Sequence, residues 1–205
     1  MRVVLVSSRY PWPPLRGNQV RSLEWLQALA DHELRLLCPA PGGRRSADEP
    51  AGVLCWRSSP PATFRGLVAA AATGRPLQEG LYDIAAARRL VAATLGDFAP
   101  DLIVVQMVRC AWAAEHGLVP APPPLFDAID AMSLHFGRAA AGAPAVLAPL
   151  LRREAARCRR RERSLAAHAG ITTAVAARDL EALGVPADRG RVVPVSARVW
   201  RGGGT

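Results

Sequence analysis

The 205-residue chain contains no lysine: its 26 basic residues are all arginine, set against 17 acidic ones for a net charge of +9. Asparagine is nearly missing as well, Asn18 being the single copy, while alanine is abundant. A protein that tracks nucleic-acid phosphates by charge ordinarily mixes lysine with arginine. The one-sided choice therefore indicates a compositional bias, and the high pI argues only weakly for DNA or RNA as a partner. Cysteine is sparse, and Cys38, Cys55, Cys110 and Cys158 form no C-x-x-C pair. That spacing excludes both a zinc ribbon and the disulfide framework of small secreted domains, leaving buried thiols in a reducing compartment. Long apolar runs are missing too. Val3 to Val6 is too short for the core of a signal peptide, and the longest nearly uncharged stretch, Ala139 to Leu151, is 13 residues with two prolines. A membrane span needs about 18 or more. The expectation is a cytoplasmic protein that does not span a bilayer but could lie peripherally against the inner face of the cytoplasmic membrane.

Hydrophobic residues make up 50% of the chain and charged residues 21%, which excludes global disorder, and the length suits one well-buried domain. Val3 to Val6 is a continuous apolar run, the profile of a strand buried on both faces of a parallel sheet. Asn18 can cap a helix in which Val20, Leu23, Leu26, Leu29 and Ala30 recur at three- and four-residue spacing, and Glu33 to Cys38 then predicts a second strand. Val53 to Trp56 predicts a short third strand, and two alanine-rich helices follow over 64–73 and 82–95. Asp101 to Gln106 is the second clear buried strand, followed by a helical stretch to about His116. Past the turn at Pro120 to Pro124, Leu125 to Ile129 forms another strand. A long basic helix spans 148–169, Ile171 to Ala174 is a strand, Ala177 to Leu183 a helix, and Arg191 to Val195 a last strand. Strands alternating with helices throughout predict an α/β doubly wound parallel sheet in a three-layer sandwich.

Open α/β sheets bind ligands outside the carboxyl ends of their strands. That rule selects Arg9, Tyr10, Trp12, Pro14, Arg16, Gly17, Asn18 and Arg21 after the first strand, Gln106 and Arg109 after the strand at 101, and Asp127, Asp130, Ser133 and His135 around the strand at 125. Gly17 at a helix start, with Arg16 or Arg21 beside it, makes a plausible anion cradle; it is equally a proline-stiffened turn with Arg21 on a solvated face. Asp127 and Asp130 could pair for acid–base or hydroxyl-binding work, or could bond and cap local backbone. Ser133 and His135, two apart and without a G-x-S-x-G elbow, do not suggest a hydrolase triad. The four histidines are scattered and no metal site is legible. Residues 152 to 163 hold seven arginines and two glutamates, a net of +5 on one helix. Its face is either simply solvated or docks on anionic lipid headgroups through Arg152, Arg153, Arg157, Arg160 and Arg161.

The segment Tyr10-Pro11-Trp12-Pro13-Pro14-Leu15-Arg16-Gly17-Asn18-Gln19-Val20-Arg21-Ser22, then a helix, then His32-Glu33-Leu34-Arg35-Leu36-Leu37-Cys38, resembles the opening of family 4 GT-B glycosyltransferases, particularly the bacterial sugar transferases of polysaccharide clusters. Phe126 to Ser133 is similar to that family's Asp-x-x-Asp-x-x-Ser, and the arginine-rich helix with Glu162 and the segment Thr172 to Gly184 follow in the same order. The resemblance covers about residues 1–195. It implies a Rossmann-like acceptor-side domain, with a second Rossmann-like domain gripping a nucleotide sugar and transfer in the cleft between. Gly17 and Asn18 would approach donor phosphates or acceptor, and Arg21, Gln106, Asp127 and Asp130 would line the cleft; no catalytic residue is assigned. Asn18 departs from the usual Asp or Gly, and Val195-Ser196 from the usual Asn-Gly. The expected organisation is one domain over 1–195, a disordered glycine-rich tail over 196–205 and no donor-binding domain, so that the chain is inactive alone. It needs no cofactor, and a nucleotide-sugar donor is expected only with a C-terminal domain. The expected partners are a sugar or lipid-linked acceptor of the cell envelope or an exopolysaccharide, an anionic membrane surface and a separate donor-domain chain. The alternative is a non-catalytic binding module or subunit of the same fold.

Overall fold

The computed structural model describes residues 1–115 and 122–195. Strand β1 (Arg2–Val6) is followed by α1 (Gly17–Ala28), β2 (Glu33–Pro39), β3 (Val53–Trp56), α2 (Pro60–Thr73), the single turn α3 (Leu77–Gly80), α4 (Ala85–Phe98) and β4 (Leu102–Gln106). A 3-10 helix (Val108–Glu115), β5 (Leu125–Ile129), α5 (Met132–Ala141), α6 (Ala148–His168), β6 (Ile171–Ala174), α7 (Ala177–Leu183) and β7 (Gly190–Val192) complete it. The seven strands form one sheet in the order β3-β2-β1-β4-β5-β6-β7, and every pairing is parallel. This is the Rossmann-like, doubly wound architecture that the alternating pattern predicts.

Strand pleating sorts the core into two layers. Val3, Leu5, Leu36 and Val104 point to the face covered by α1, where they meet Tyr10, Trp12 and Leu29 together with Leu23, Trp25 and Leu26. Val4, Val6, Leu37, Ile103, Val105 and Phe126 point to the other face, against Val91, Leu95 and Phe98 of α4, Trp112 of the 3-10 helix, Cys158 and Leu165 of α6, and Leu183 of α7. Full burial of each such aliphatic side chain is worth about 1.5–3 kcal/mol. The continuous apolar runs at Val3 and Leu102 follow from coverage on both faces.

Several expectations shift. Helix α1 begins at Gly17 with Arg16 in the capping position and no side-chain cap, so Asn18 lies inside the first turn. The stretch after β4 is a 3-10 helix through Glu115, and β7 ends at Val192, three residues earlier than the sequence suggests. Helices α3 and α5 are additions. His116, part of the turn from Pro120 and the tail from Ser196 lie outside the described residues.

Candidate functional site

The chain runs outward from β1 to β2 and β3, then returns to place β4 on the other flank of β1. The loops leaving β1 and β4 therefore diverge, opening the crevice in which such sheets bind ligands. A buried polar network lines its floor. Ser7 Oγ donates to Gln106 Oε1 at 2.8 Å and Ser22 Oγ donates to the same oxygen at 3.0 Å, tying β1 and α1 to the end of β4. Gln106 Nε2, Asn18 Nδ2, Ser8 Oγ and Arg9 Nε are buried beside it without hydrogen-bond partners among the described residues. Most buried polar atoms in proteins are paired, so four unpaired donors, three at two adjacent strand ends and one in the first turn of α1, mark where a ligand would supply acceptors. Gly17 is exposed at the helix start, and a Cβ there would meet nothing within 4 Å, which leaves the cradle open towards solvent.

Arg21 and Asp127 are placed differently. The fully buried Asp127 carboxylate accepts from Arg21 Nε at 3.1 Å and Nη2 at 3.2 Å, from Trp25 Nε1 at 2.7 Å and from Thr173 Oγ1 at 2.7 Å. Arg21, itself 4% exposed, also reaches Glu24 at 3.4 Å. Arg21 on α1 and Asp127 on β5 beneath it pin the helix to β5 and β6, so their polar atoms are consumed by the fold rather than offered to the crevice. Asp130 is exposed just beyond β5, where Ile129 adopts a positive φ of 58°, and it bonds none of the described residues. The two carboxylates are therefore not paired. Ser133 is buried at the start of α5 while His135 is exposed with its ring edge on Phe136, so no serine–histidine couple exists either.

The sequence match decides the family: a model of the glycosyl transferase 4-like domain covers residues 4–196. The chain belongs to that family. No curated protein matches it. This glycosyltransferase domain is consistent with the N-terminal domain of a GT-B enzyme, as the residue resemblance implied.

In the glycosyltransferase domain the basic helix α6 has an inner and an outer side. Inward, Glu154 accepts from the backbone N–H of Leu77 at 2.7 Å, and Glu162 from those of Met132 at 2.6 Å and Ser133 at 3.3 Å. Each glutamate thus caps a helix distant in sequence, α3 and α5 respectively, which have no side-chain cap of their own. Burial raises both carboxyls above the ordinary glutamate range, against the pull of these hydrogen bonds. Of the five arginines assigned to a membrane surface, Arg161 is held by Glu79 at 2.8 Å and Glu115 at 2.7 Å, and the half-buried Arg157 donates to the Ala71 carbonyl. Arg160 is exposed but donates to the Gly74 carbonyl. Arg152 and Arg153 are exposed and bond none of the described residues; immediately before them Val146, Leu147 and Leu150 are also exposed, Val146 by 83%. No described helix is long and apolar enough to cross a membrane.

Spacing alone did not reveal the thiol pair. Cys38 and Cys55 face one another across β2 and β3, their sulfurs 3.7 Å apart. The Cys38 thiol and, after it, the charge of Arg45 pull Cys55 down to about 7 against its burial. The signal was present, since both cysteines fall in adjacent predicted strands, but their pairing depends on a register that only the structure supplies. Among the described residues no His, Cys, Asp or Glu cluster could hold a metal ion.

Proposed function

We propose that this chain forms the acceptor-side domain of a sugar transferase, and that a nucleotide sugar held by a second Rossmann-like domain donates to a cell-envelope or exopolysaccharide acceptor seated in the crevice between β1 and β4. The observation that carries this reading is the set of unpaired donors on Ser8, Arg9, Asn18 and Gln106 at the switch point of a family 4-like fold. Such donors suit a substrate rich in hydroxyl and oxyanion acceptors. The residues assigned to substrate are Gly17, Asn18, Gln106 and the exposed Asp130, with Arg21 and Asp127 acting indirectly by fixing α1, whose first turn carries Asn18. Donor and acceptor must meet in a closed cleft, so transfer requires both domains, on one chain or on two. The lipid-facing surface in this reading is narrower than the whole arginine run: Val146, Leu147 and Leu150 enter the headgroup region while Arg152 and Arg153 meet anionic lipid, at the inner face of the cytoplasmic membrane.

The test is a transfer assay with radiolabelled nucleotide sugars and membrane lipid extract. The 205-residue chain is expected to be silent alone and to transfer when a donor-binding domain is supplied, with Gln106→Ala and Asn18→Ala each reducing transfer about five- to thirtyfold, since a lost hydrogen bond to a substrate group costs about 1–2 kcal/mol. Full activity of both variants in the completed enzyme would remove the crevice from the mechanism.

A further inference from the structure

Almost every arginine shielded from solvent in this domain has a partner that accounts for it. Arg21, Arg75, Arg88, Arg157 and Arg161 each meet a carboxylate, Arg35 stacks on Phe98, and Arg189 donates to the carbonyls of Ala167 and Ala169. Arg9 and Arg109 depart from this pattern. Arg9 is half-buried with Nε unpartnered, and no carboxylate, carbonyl or ring among the described residues takes its guanidinium. Arg109 is half-buried too, and its one side-chain bond among the described residues is from Nε to the neutral Gln78 Oε1 at 2.7 Å. Each lies three residues past the end of a strand, Val6 of β1 and Gln106 of β4, and those strands are hydrogen-bonded neighbours joined by the Ser7–Gln106 bond. The two charges act on one another: burial lowers Arg109 from its ordinary value, the charge of Arg9 lowers it further, and Tyr82 opposes them. Two desolvated like charges without a counter-charge are costly to the fold. A ligand that brings the counter-charge explains why they are kept.

We propose that Arg9 and Arg109 bind a phosphoryl group carried by the acceptor. This rests on the acceptor-side reading above and names the acceptor's chemical class. Each guanidinium is a planar fork matched to two phosphoryl oxygens, and two forks suit a phosphate dianion or a diphosphate, whereas a carboxylate is saturated by one. The unpaired donors of Gln106 and Ser8 lie at the same strand ends and that of Asn18 in the first turn of α1, ready for the remaining oxygens. The carrier in this proposal is a lipid, because the reading above sets the exposed Leu150, Arg152 and Arg153, in the first two turns of α6, against a bilayer.

The experiment is calorimetric titration of the 205-residue chain with inorganic pyrophosphate, with geranyl diphosphate as a short lipid diphosphate, and with a nucleoside diphosphate. Pyrophosphate and geranyl diphosphate are expected to bind. Arg9→Gln and Arg109→Gln should each weaken both by about tenfold, the scale of one charge-assisted hydrogen bond. Arg178→Gln, which removes the same charge from an exposed position, should leave both unchanged. Wild-type affinity in both crevice variants, or no binding of either ligand, overturns the proposal. Preference for the nucleoside diphosphate over geranyl diphosphate at the same arginines assigns the phosphoryl group to the donor and overturns the acceptor assignment. Without ligand, Arg9→Gln should melt at or above the wild-type temperature, because it loses an uncompensated charge; a marked fall makes Arg9 structural and equally overturns the proposal. A completed enzyme that transfers sugar to a neutral acceptor without needing either arginine sinks this inference while leaving the transferase reading intact.

Discussion

The carboxylate of Asp127 takes hydrogen bonds from Arg21, Trp25 and Thr173 and has no exposed surface, so its charge is balanced within the domain. Removing one member of a buried pair strands the other. Asp127→Asn is therefore expected to lower the unfolding free energy by about 3–5 kcal/mol in urea titration, and a loss below about 1 kcal/mol would show the pair to be expendable. Glu162 poses the opposite electrostatic problem. Burial raises its carboxyl above the ordinary glutamate value, so its contribution to stability is fully present below that value and is lost as pH rises through the raised one. Glu162→Gln keeps the shape but cannot ionise. Wild-type stability should fall relative to this variant between mildly acidic and neutral pH when urea midpoints are compared; a rise relative to the variant would contradict the sign. Neither role was legible in the sequence. Asp-x-x-Asp-x-x-Ser looks like a ligand motif, and only the tertiary structure shows that its first Asp faces Trp25 and Thr173, 102 and 46 positions away.

Among the elements, legibility followed burial on both faces. Strands β1 and β4, covered above and below, have continuous apolar runs that locate them within a residue. Helices α3 and α5 escaped because what starts them is remote: Glu154 and Glu162 of α6 supply their N-terminal acceptors from 77 and about 30 positions away. The α2–α3 contact is equally hidden. A Cβ on Gly66 would lie 2.1 Å from the Gly80 carbonyl oxygen, and one on Gly80 would lie 2.5 Å from that of Gly66, so the two backbones touch. Gly80→Ala should cost about 1–3 kcal/mol by overpacking, measurable as a shifted urea midpoint, whereas Gly96→Ala, in open space on α4, should cost nothing and even stabilise its helix. The register of β2 on β3 makes a chemical prediction as well. With Cys55 lowered to about 7 and Cys38, Cys110 and Cys158 all pushed upward by their surroundings, iodoacetamide near neutral pH should label Cys55 first. Mass spectrometry that finds another cysteine labelled faster would reverse that order.

For the molecule as a whole, the arginine run that dominates its charge divides into a bonded group and an exposed group. The inward members hold α2, α3 and the 3-10 helix against α6, since Arg161 grips Glu79 and Glu115 while Arg157 and Arg160 bond the carbonyls at the end of α2. The exposed arginines of the run that bond none of the described residues are Arg152, Arg153 and Arg159, the first two next to a turn that exposes Val146, Leu147 and Leu150. The two groups separate experimentally. Each basic residue near an anionic bilayer contributes about 1 kcal/mol, so Arg152→Gln with Arg153→Gln should reduce partitioning to phosphatidylglycerol vesicles about thirtyfold, with an unchanged melting temperature. Leu147→Ser with Leu150→Ser should weaken binding even at low salt, because it removes apolar area rather than charge. Arg161→Gln should instead lower the melting temperature, because it leaves the buried Glu79 short of its main counter-charge. If vesicle binding followed Arg161 and ignored Arg152 and Arg153, the lipid contact would have to be moved from the start of α6 to its middle. If docking at the start of α6 presents the phosphoryl-bearing acceptor proposed for Arg9 and Arg109, the two sites act together. Phosphatidylglycerol vesicles doped with an isoprenyl diphosphate should then bind wild type more tightly than undoped ones, and Arg109→Gln should abolish that increment while leaving the basal partitioning in place.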